Sequence, residues 1–290
     1  MGGSTDMAMK YDHLMSLKTA GDRFAYSDRE TMLYALGVGM GRDPLDAAEL
    51  DYVFERKPLK TVPTMATVLT RSALLRDCGF DYTRVVHGEQ RLTLHRPLPP
   101  QGSLIADARV TECYDKGIGK GAVIYTETSV RSADDDTPMF TLGSTTFARG
   151  DGGFGGPSGS GPEPHRLPER APDLTHVVET RPDQALLYRL NGDRNPLHAD
   201  PELARRVGFP APILHGLCTY GTTCRAVLQA ICGYDHTRIT GFDVRFSSPV
   251  YPGESIAVDL WQDGAILSFR CRVPARDVLV INNGRCTLRQ

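Results

Sequence analysis

Hydrophobic and polar residues alternate along several segments of the chain, and a period of two indicates a half-buried β-strand. The pattern is clearest where Phe242, Val244 and Phe246 are separated by Asp243 and Arg245. Comparable segments predict strands at residues 90–95, 104–113, 122–130, 139–148, 241–246, 255–261, 266–273 and 278–288, and a short strand at 52–55. We also predict that residues 1 to about 20 form a mobile lead-in.

One segment departs from this alternation, because residues 217–232 are apolar on most faces and therefore predict a buried helix. Shorter helices are predicted at residues 29–36, 65–78 and 201–207, and around Ala185 to Leu190. Their N-terminal signals are the Ser27–Glu30 capping box, Pro63, Asp200 followed by Pro201, and Thr180 followed by Pro182. In each half of the chain helices come first and strands follow, which favours an α+β fold.

A glycine-, proline- and serine-rich stretch, G-D-G-G-F-G-G-P-S-G-S-G-P-E-P, follows the fourth of these strands. Such a composition does not pack as regular structure, so we interpret it as a linker. The predicted division is an N-terminal domain at residues 1–149, a linker at 150–165 and a C-terminal domain at 166–290. Each domain is predicted to be one antiparallel sheet that covers a helix.

Composition and charge exclude some classes of partner. The 290 residues are 40% hydrophobic and 23% charged, which is typical of a globular protein. A net charge of −2 gives no bulk case for binding nucleic acid or membranes, and the apolar runs are too short to span a bilayer.

Three features of the sequence bear on the compartment, and together they favour the cytoplasm. The first ten residues lack the apolar core of a signal peptide, and the last four, T-L-R-Q, are no recognised peroxisomal address. The chain has seven cysteines and no C-x-x-C motif, which favours reduced thiols. We therefore expect a cytoplasmic protein.

The densest group of reactive residues lies between the short helix near residue 187 and the buried helix. Asp193 and His198 share a loop that both flanking helices hold, and Gly216 begins the buried helix. Taken singly, Asp193 is a turn residue and His198 a solvated histidine. Together, a carboxylate, an imidazole and an exposed backbone N–H at a helix start supply an acid–base pair with an oxyanion donor.

A metal site is the alternative use of the same region, with His198, Asp200 and His215 as ligands. The capping role already accounts for Asp200, and no tight ligand spacing is present. We therefore predict no metal.

The segments Y-R-L-N-G-D-R-N-P-L-H-A-D-P and P-I-L-H-G-L-C-T-Y-G closely resemble the hydratase 2 motif of the MaoC-like dehydratases. This resemblance implies a double hot-dog fold, with two antiparallel sheets each wrapped around a central helix. It also implies that Asp193 and His198 are the catalytic pair, that Asn195 shapes the site and that the Gly216 N–H binds the thioester oxygen. Asn191 is a departure, because many relatives have Ser there.

Three further segments resemble the family. His87-Gly88-Glu89-Gln90 is similar to its H-G-E-Q segment, which lines the substrate site. Asp115-Lys116-Gly117 and the run from Arg245 to Gly253 are similar to segments in which a lysine, here Lys116, and a phenylalanine, here Phe246, contact coenzyme A. From the residues alone, we favour a strand entry for His87 and Gly88, a solvated turn for Lys116 and plain core for Phe246, and the resemblance reverses that preference.

The resemblance implies a lyase of fatty-acid metabolism that hydrates trans-2-enoyl-CoA reversibly to (R)-3-hydroxyacyl-CoA, without a metal or redox cofactor. The first half lacks a counterpart of D-R-N-P-L-H and is expected to shape the acyl pocket. A homodimer is also expected. Two alternatives stay open: a hot-dog acyl-CoA thioesterase, and a non-catalytic module that binds acyl-CoA or an acyl carrier.

Overall fold

The computed structural model describes residues 9–56, 58–70, 73–76, 78–81 and 84–289, and these contain one ten-stranded antiparallel sheet. Its strands are β1 (Lys18–Tyr26), β2 (Val85–Leu94), β3 (Gly102–Asp115), β4 (Ala122–Ser132), β5 (Pro138–Ala148), β6 (Leu174–Glu179), β7 (Ile239–Phe246), β8 (Ser255–Asp263), β9 (Ile266–Val273) and β10 (Val278–Leu288). The strand order is β1-β3-β4-β5-β2-β7-β10-β9-β8-β6. All the strands predicted after residue 90 are confirmed, with bounds shifted by a few residues.

The two halves of the sheet meet at β2 and β7, where Glu89 lies opposite Arg245 and Thr93 opposite Gly241. At the junction the Leu92 N–H donates to a side-chain oxygen of Asp243 at 3.2 Å. The α+β double hot-dog fold is therefore confirmed, but its two predicted sheets are joined edge to edge into one. Pairing β2 with β7 satisfies two strand edges that separate sheets would leave open, and alternation within a strand does not reveal its partner.

The central helix α7 (Gly216–Ala230) is the long buried helix that the sequence predicts, although it begins one residue earlier and ends two residues earlier. It packs closely against the preceding half of the chain. A Cβ added at Gly221 would lie 2.5 Å from Val38 Cγ1 and 2.7 Å from the Tyr34 hydroxyl oxygen. Glycine is therefore required at this contact, which binds α7 to the N-terminal half.

The N-terminal half contains no helix comparable to α7 among the described residues. Its helices are α1 (Tyr11–Ser16), α2 (Asp28–Gly37), α3 (Ala47–Leu50) and α4 (Ala66–Leu69). The capping box of α2 is confirmed, since the Ser27 N–H donates to Glu30 Oε2 at 2.9 Å. The sequence predicts a central helix for this half as well, but the helices described here are shorter than α7.

Two predictions for residues 52–78 differ from the structure. The helix predicted at 65–78 ends at Leu69, because Thr70 is extended, and residues 71, 72 and 77 of that prediction lie outside the described residues. The strand predicted at 52–55 is wrong, since Tyr52 lies in a turn and is fully buried. Its hydroxyl donates to the Tyr234 carbonyl oxygen at 2.9 Å, a long-range contact that local alternation cannot indicate.

The two edge strands, β1 and β6, were not predicted. Both are largely exposed, so they lack the apolar alternation by which the other strands were found. The mobile lead-in predicted to residue 20 is wrong from Tyr11 onwards, where α1 precedes β1. Residues 1–8 of that prediction lie outside the described residues.

The linker is irregular, as its composition predicts, and it is packed against the N-terminal half of the sheet. The Asp115 carboxylate accepts hydrogen bonds from the N–H groups of Gly153 and Gly155, at 2.8 and 3.0 Å. The Tyr125 hydroxyl donates to the Ser160 carbonyl oxygen at 3.0 Å. The linker therefore has a defined path along the sheet, while the domain bounds at residues 149 and 166 stay a prediction.

A buried ion pair joins α3 to α7. The Arg225 Nη2 and Nε atoms lie 2.7 and 2.8 Å from Glu49 Oε1, and the two side chains are 8% and 1% exposed. We expect Arg225→Met to lower the free energy of unfolding by about 3–5 kcal/mol, because it leaves the Glu49 charge buried without its partner. Denaturant unfolding measures this change.

The control for this prediction is Arg166→Met, which removes an ion pair with Glu163 whose side chains are 84% and 81% exposed. That change should alter the free energy of unfolding by less than about 1 kcal/mol. If both substitutions changed the free energy of unfolding equally, burial of the Glu49–Arg225 pair would not account for the loss of stability.

Candidate active site

A cavity of about 860 Å³ lies at the junction of the two halves. The structure brings all the site residues predicted from the sequence to its walls: Asp193, Asn195, His198 and Gly216 from the C-terminal half, His87, Gly88 and Lys116 from the N-terminal half, and Phe246 on β7. His87 and Phe246, which are separated by 159 positions in the chain (246 − 87), thus share one cavity. Their individual roles stay predictions.

The loop that carries the pair begins after α5 (Gln184–Tyr188) and a short helical turn that Gly192 ends with a φ of 113°. This left-handed conformation suits glycine and stops the helix. The predicted Thr180 cap is wrong, because the helix begins after Asp183. The Thr180 hydroxyl instead donates to the Glu254 carbonyl oxygen at 2.7 Å.

Short polar side chains fix the conformation of the loop itself. The Asn195 N–H donates to Asp193 Oδ1 at 3.1 Å, and the Leu197 N–H donates to Asn195 Oδ1 at 3.0 Å. Both contacts span two residues, which is the geometry of Asx turns. Asn195 therefore fixes the turn between Asp193 and His198, while its role in shaping the substrate site stays a prediction.

Asp200 caps α6 (Pro201–Arg206), as predicted. Its Oδ1 accepts hydrogen bonds from the N–H groups of Glu202 and Leu203, at 2.8 and 3.2 Å. The carboxylate is thus engaged at the helix N-terminus and does not line the cavity.

The imidazole of His198 is 8% exposed and has a defined orientation. Its Nδ1 lies 2.9 Å from the Ile213 carbonyl oxygen, and because a carbonyl only accepts, Nδ1 carries the proton. The neutral ring then offers the Nε2 lone pair. Burial lowers the pKa of His198, although the Ile213 hydrogen bond and the charge of Asp193 oppose this shift. The His198 ring is therefore neutral at pH 7, with its proton on Nδ1 and a free lone pair on Nε2.

His215 also lies beside this pair. The sequence analysis named it only as a ligand of the alternative metal site. Its ring is stacked on that of His198, with centroids 3.7 Å apart, and its Nε2 lies 3.1 Å from the Asp193 carbonyl oxygen. One ligand atom from each of Asp193, His198 and His215 lies within 4.8 Å of the others. Asp193 thus takes the place that the metal alternative gave to Asp200.

Gly216 is the first residue of α7, and the His215 side chain makes no capping hydrogen bond there. The N–H groups of a first helical turn have no partner within the helix, and the helix dipole gives that end a partial positive charge. A Cβ added at Gly216 would lie 3.4 Å from Phe246 Cε1, so little space separates this backbone from the cavity wall. The Gly216 N–H therefore belongs to the positively polarised end of α7, and Gly216 itself lines the cavity.

The N-terminal half contributes a half-buried histidine beside Phe246, with ring centroids 5.0 Å apart. This residue, His87, has its Nε2 3.0 Å from the Glu89 carbonyl oxygen and 2.9 Å from Ser144 Oγ. Burial lowers the pKa of His87 to about 4, so its ring is neutral at pH 7. A Cβ at Gly88 would lie 3.3 Å from the Thr145 carbonyl oxygen, which favours glycine in this wall.

Three basic residues lie along the same cavity: Lys116, Arg149 and Arg245. The Lys116 ammonium donates to the Gly159 carbonyl oxygen of the linker, a contact that the sequence did not indicate. These cations provide an electrostatic site for an anionic ligand.

The fold and the cavity together define a double hot-dog protein with an aspartate and a histidine beside a helix N-terminus. Sequence comparison identifies a known domain in each half of the chain. The MaoC like domain matches residues 164–283, and the MFE-2 hydratase 2 N-terminal domain matches residues 24–150.

Individual relatives cover almost the whole chain. The enoyl-CoA hydratase ChsH3 of Mycobacterium tuberculosis is 43% identical over 90% of this chain and 92% of its own. The peroxisomal enoyl-CoA hydratase 2 of Arabidopsis thaliana is 35% identical over 96% and 95%. The crystal structure of a MaoC-like dehydratase from Phytophthora capsici is 31% identical, covers 97% of this chain and 98% of its own, and has a TM-score of 0.84.

The chain belongs to the MaoC-like dehydratase family, within its enoyl-CoA hydratase 2 group. Among the described residues, no helix combines the length and apolar character needed to cross a bilayer.

Proposed function

We propose that this protein is an (R)-specific enoyl-CoA hydratase, a hydro-lyase that adds water reversibly to trans-2-enoyl-CoA. The observation that carries the proposal is the placement of Asp193, His198 and the N-terminus of α7 on one cavity wall. Relatives at 35–43% identity are named enoyl-CoA hydratases and align over nearly the full chain. The residues of the cavity and the family of the chain therefore support the same reaction.

In the hydration direction, the oxygen of water forms a bond with C3 as the C2–C3 π bond breaks. His198 Nε2 and the Asp193 carboxylate hold this water between them. Together the pair takes up one proton from the water and delivers one proton to C2, so its own proton count is unchanged at the end of the reaction. Water supplies both new groups, so the reaction involves no net oxidation or reduction. A histidine with a neutral resting state suits this exchange, because it gains and releases a proton near physiological pH.

Negative charge moves onto the thioester oxygen as C3 is attacked. The Gly216 N–H would donate to this oxygen, and the positive end of α7 would stabilise the charge. Such a donor costs no reorganisation during the reaction, because the helix already holds it in place. The pair and the N–H therefore act on opposite ends of the enoyl thioester.

Coenzyme A is part of the substrate in this proposal, and no further cofactor or metal takes part. Its phosphates would lie near Lys116, Arg149 and Arg245, the basic residues along the cavity. Phe246, half-buried between His87 and Gly216, would pack against the thioester end of the ligand. The acyl chain would then extend along the wall that the N-terminal half provides, which includes Val68.

We further propose a homodimer in the cytoplasm that acts in fatty-acid metabolism. The homodimer and the role in fatty-acid metabolism are expected from the resemblance. The cytoplasm is expected from the cysteine content, which favours reduced thiols. Size-exclusion chromatography with light scattering distinguishes a dimer from a monomer.

Turnover of crotonyl-CoA tests the function and separates it from both alternatives. A hydratase removes the enoyl absorbance without releasing free thiol. A thioesterase releases free thiol, and a binding module does neither. Release of thiol, or unchanged absorbance at saturating enzyme with medium-chain substrates as well, would contradict the proposal.

A further inference from the structure

His215 occupies an unusual position beside the proposed catalytic pair. It immediately precedes α7, is 2% exposed, and its ring stacks on that of His198 with an interplanar angle of 24°. The Tyr188 ring contacts it as well, with centroids 5.0 Å apart. The side chain makes no capping hydrogen bond to α7, so its role is not to begin the helix.

The hydrogen bonds of His215 determine its tautomer. Its Nε2 lies 3.1 Å from the Asp193 carbonyl oxygen, which only accepts, so Nε2 carries the proton and donates. Its Nδ1 is buried and has no hydrogen-bond partner among the described residues. Protonating Nδ1 would bury a donor without an acceptor, so the neutral ring is favoured.

The two contacts of His215 reach both members of the pair. Its Nε2–H holds the backbone of Asp193, and its ring face limits the orientation of the His198 ring, whose Nδ1–H donates to Ile213. Without His215, the His198 ring could tilt about its Ile213 hydrogen bond, and the Asp193 carbonyl would lose its donor.

We propose that His215 is a positioning residue for hydration, fixing the Asp193 backbone and the His198 ring plane so that both act on one water. This inference rests on the proposed function, because it assigns the pair to hydration. His215 itself touches neither the water nor the substrate in this scheme.

Two substitutions separate its two contacts. His215→Gln keeps an amide N–H at about the reach of Nε2 but removes the ring, whereas His215→Phe keeps a stacked ring but removes the donor. We expect His215→Phe to lower kcat by roughly 10- to 100-fold, because small misplacements of catalytic groups have effects of this size. KM should stay within about twofold of the wild type, and His215→Gln should recover at least part of kcat.

The pH dependence of kcat/KM provides a second measurement. It should not change if His215 only stabilises the fold. The charged and titratable groups that face His198 and His215 are Asp193, Arg189, Tyr188 and the two rings themselves. In His215→Phe, an aromatic face replaces a second titratable imidazole and favours the protonated His198. The pKa of His198 then rises, so the acid limb of kcat/KM should move to higher pH, whereas in His215→Gln it should move less.

The matched control is His236→Phe, because His236 also has a buried Nδ1 without a hydrogen-bond partner but lies outside the cavity. It should leave kcat and the pH profile unchanged. Folding of each variant is checked by circular dichroism and thermal unfolding, and His215→Gln supplies the test if His215→Phe does not fold.

The outcomes distinguish this inference from the proposed function. If the wild type hydrates enoyl-CoA, Asp193→Asn does not, and folded His215 variants keep wild-type kcat and acid limb, the positioning role is wrong and the function stands. An equal loss of kcat in the His215 and His236 variants would also overturn it. A wild type that hydrates no enoyl-CoA would overturn both.

Discussion

Asp193→Asn is expected to lower kcat for enoyl-CoA hydration by roughly 10²–10⁴-fold, the usual contribution of a positioned acid–base group. Asparagine cannot accept the proton of the attacking water. It keeps Oδ1, the atom that accepts the Asn195 N–H, so the loop should retain its conformation. Steady-state kinetics on crotonyl-CoA, with circular dichroism of both proteins, measures the effect.

The control for this substitution is Asp200→Asn, on the same segment. Asp200 caps α6 and lies outside the cavity, and asparagine is an equally good N-cap residue. It should leave kcat within about twofold of the wild type. If Asp193→Asn retained wild-type kcat, the carboxylate would have no part in the chemistry.

The same pair predicts a pH dependence. The base must be unprotonated, and burial holds the pKa of His198 below its usual value of 6.5. The midpoint of the acid limb of kcat/KM should therefore lie below pH 6.5. His198→Gln should lose the rate and this acid limb together.

Gly216→Pro should lower kcat by roughly 10²–10³-fold, the typical effect of removing one oxyanion donor. Proline has no backbone N–H, yet it is favoured at the first position of a helix. His215, with φ −58° and ψ 138°, already has the extended conformation that a residue before proline requires. The substitution thus removes the donor while α7 can still form.

Gly216→Ala separates the loss of the N–H from the added bulk. Its Cβ would lie 3.4 Å from Phe246 Cε1, an ordinary contact, and its N–H remains. We expect it to keep most of the wild-type kcat. Equal rates in the proline and alanine variants would contradict the role of the Gly216 N–H.

The loop that carries Asp193 and His198 was largely predictable from the sequence because its geometry is local. Gly192 ends one helix, Asp200 begins the next, and Asn195 turns the loop between them, so three short-range rules place Asp193 near His198. The long buried helix was predictable for a similar reason, since few surfaces of α7 are polar.

Other features depend on contacts that are distant in the chain. The junction of β2 with β7 and the polar edge strands β1 and β6 have no local signature. Thr180 resembles a helix cap but bonds to Glu254, 74 residues away. The stacking of His215 on His198 likewise follows from tertiary folding, which is why the sequence suggests no role for His215 beyond the metal alternative.

The most direct test of the account follows the product of short- and medium-chain trans-2-enoyl-CoA with an (R)-specific and, separately, an (S)-specific 3-hydroxyacyl-CoA dehydrogenase. Wild-type protein should yield NADH only with the (R)-specific enzyme, at a rate that Asp193→Asn and His198→Gln both lose. No hydration at any chain length, or a product oxidised only by the (S)-specific enzyme, would contradict the assignment of this chain as an (R)-specific hydratase.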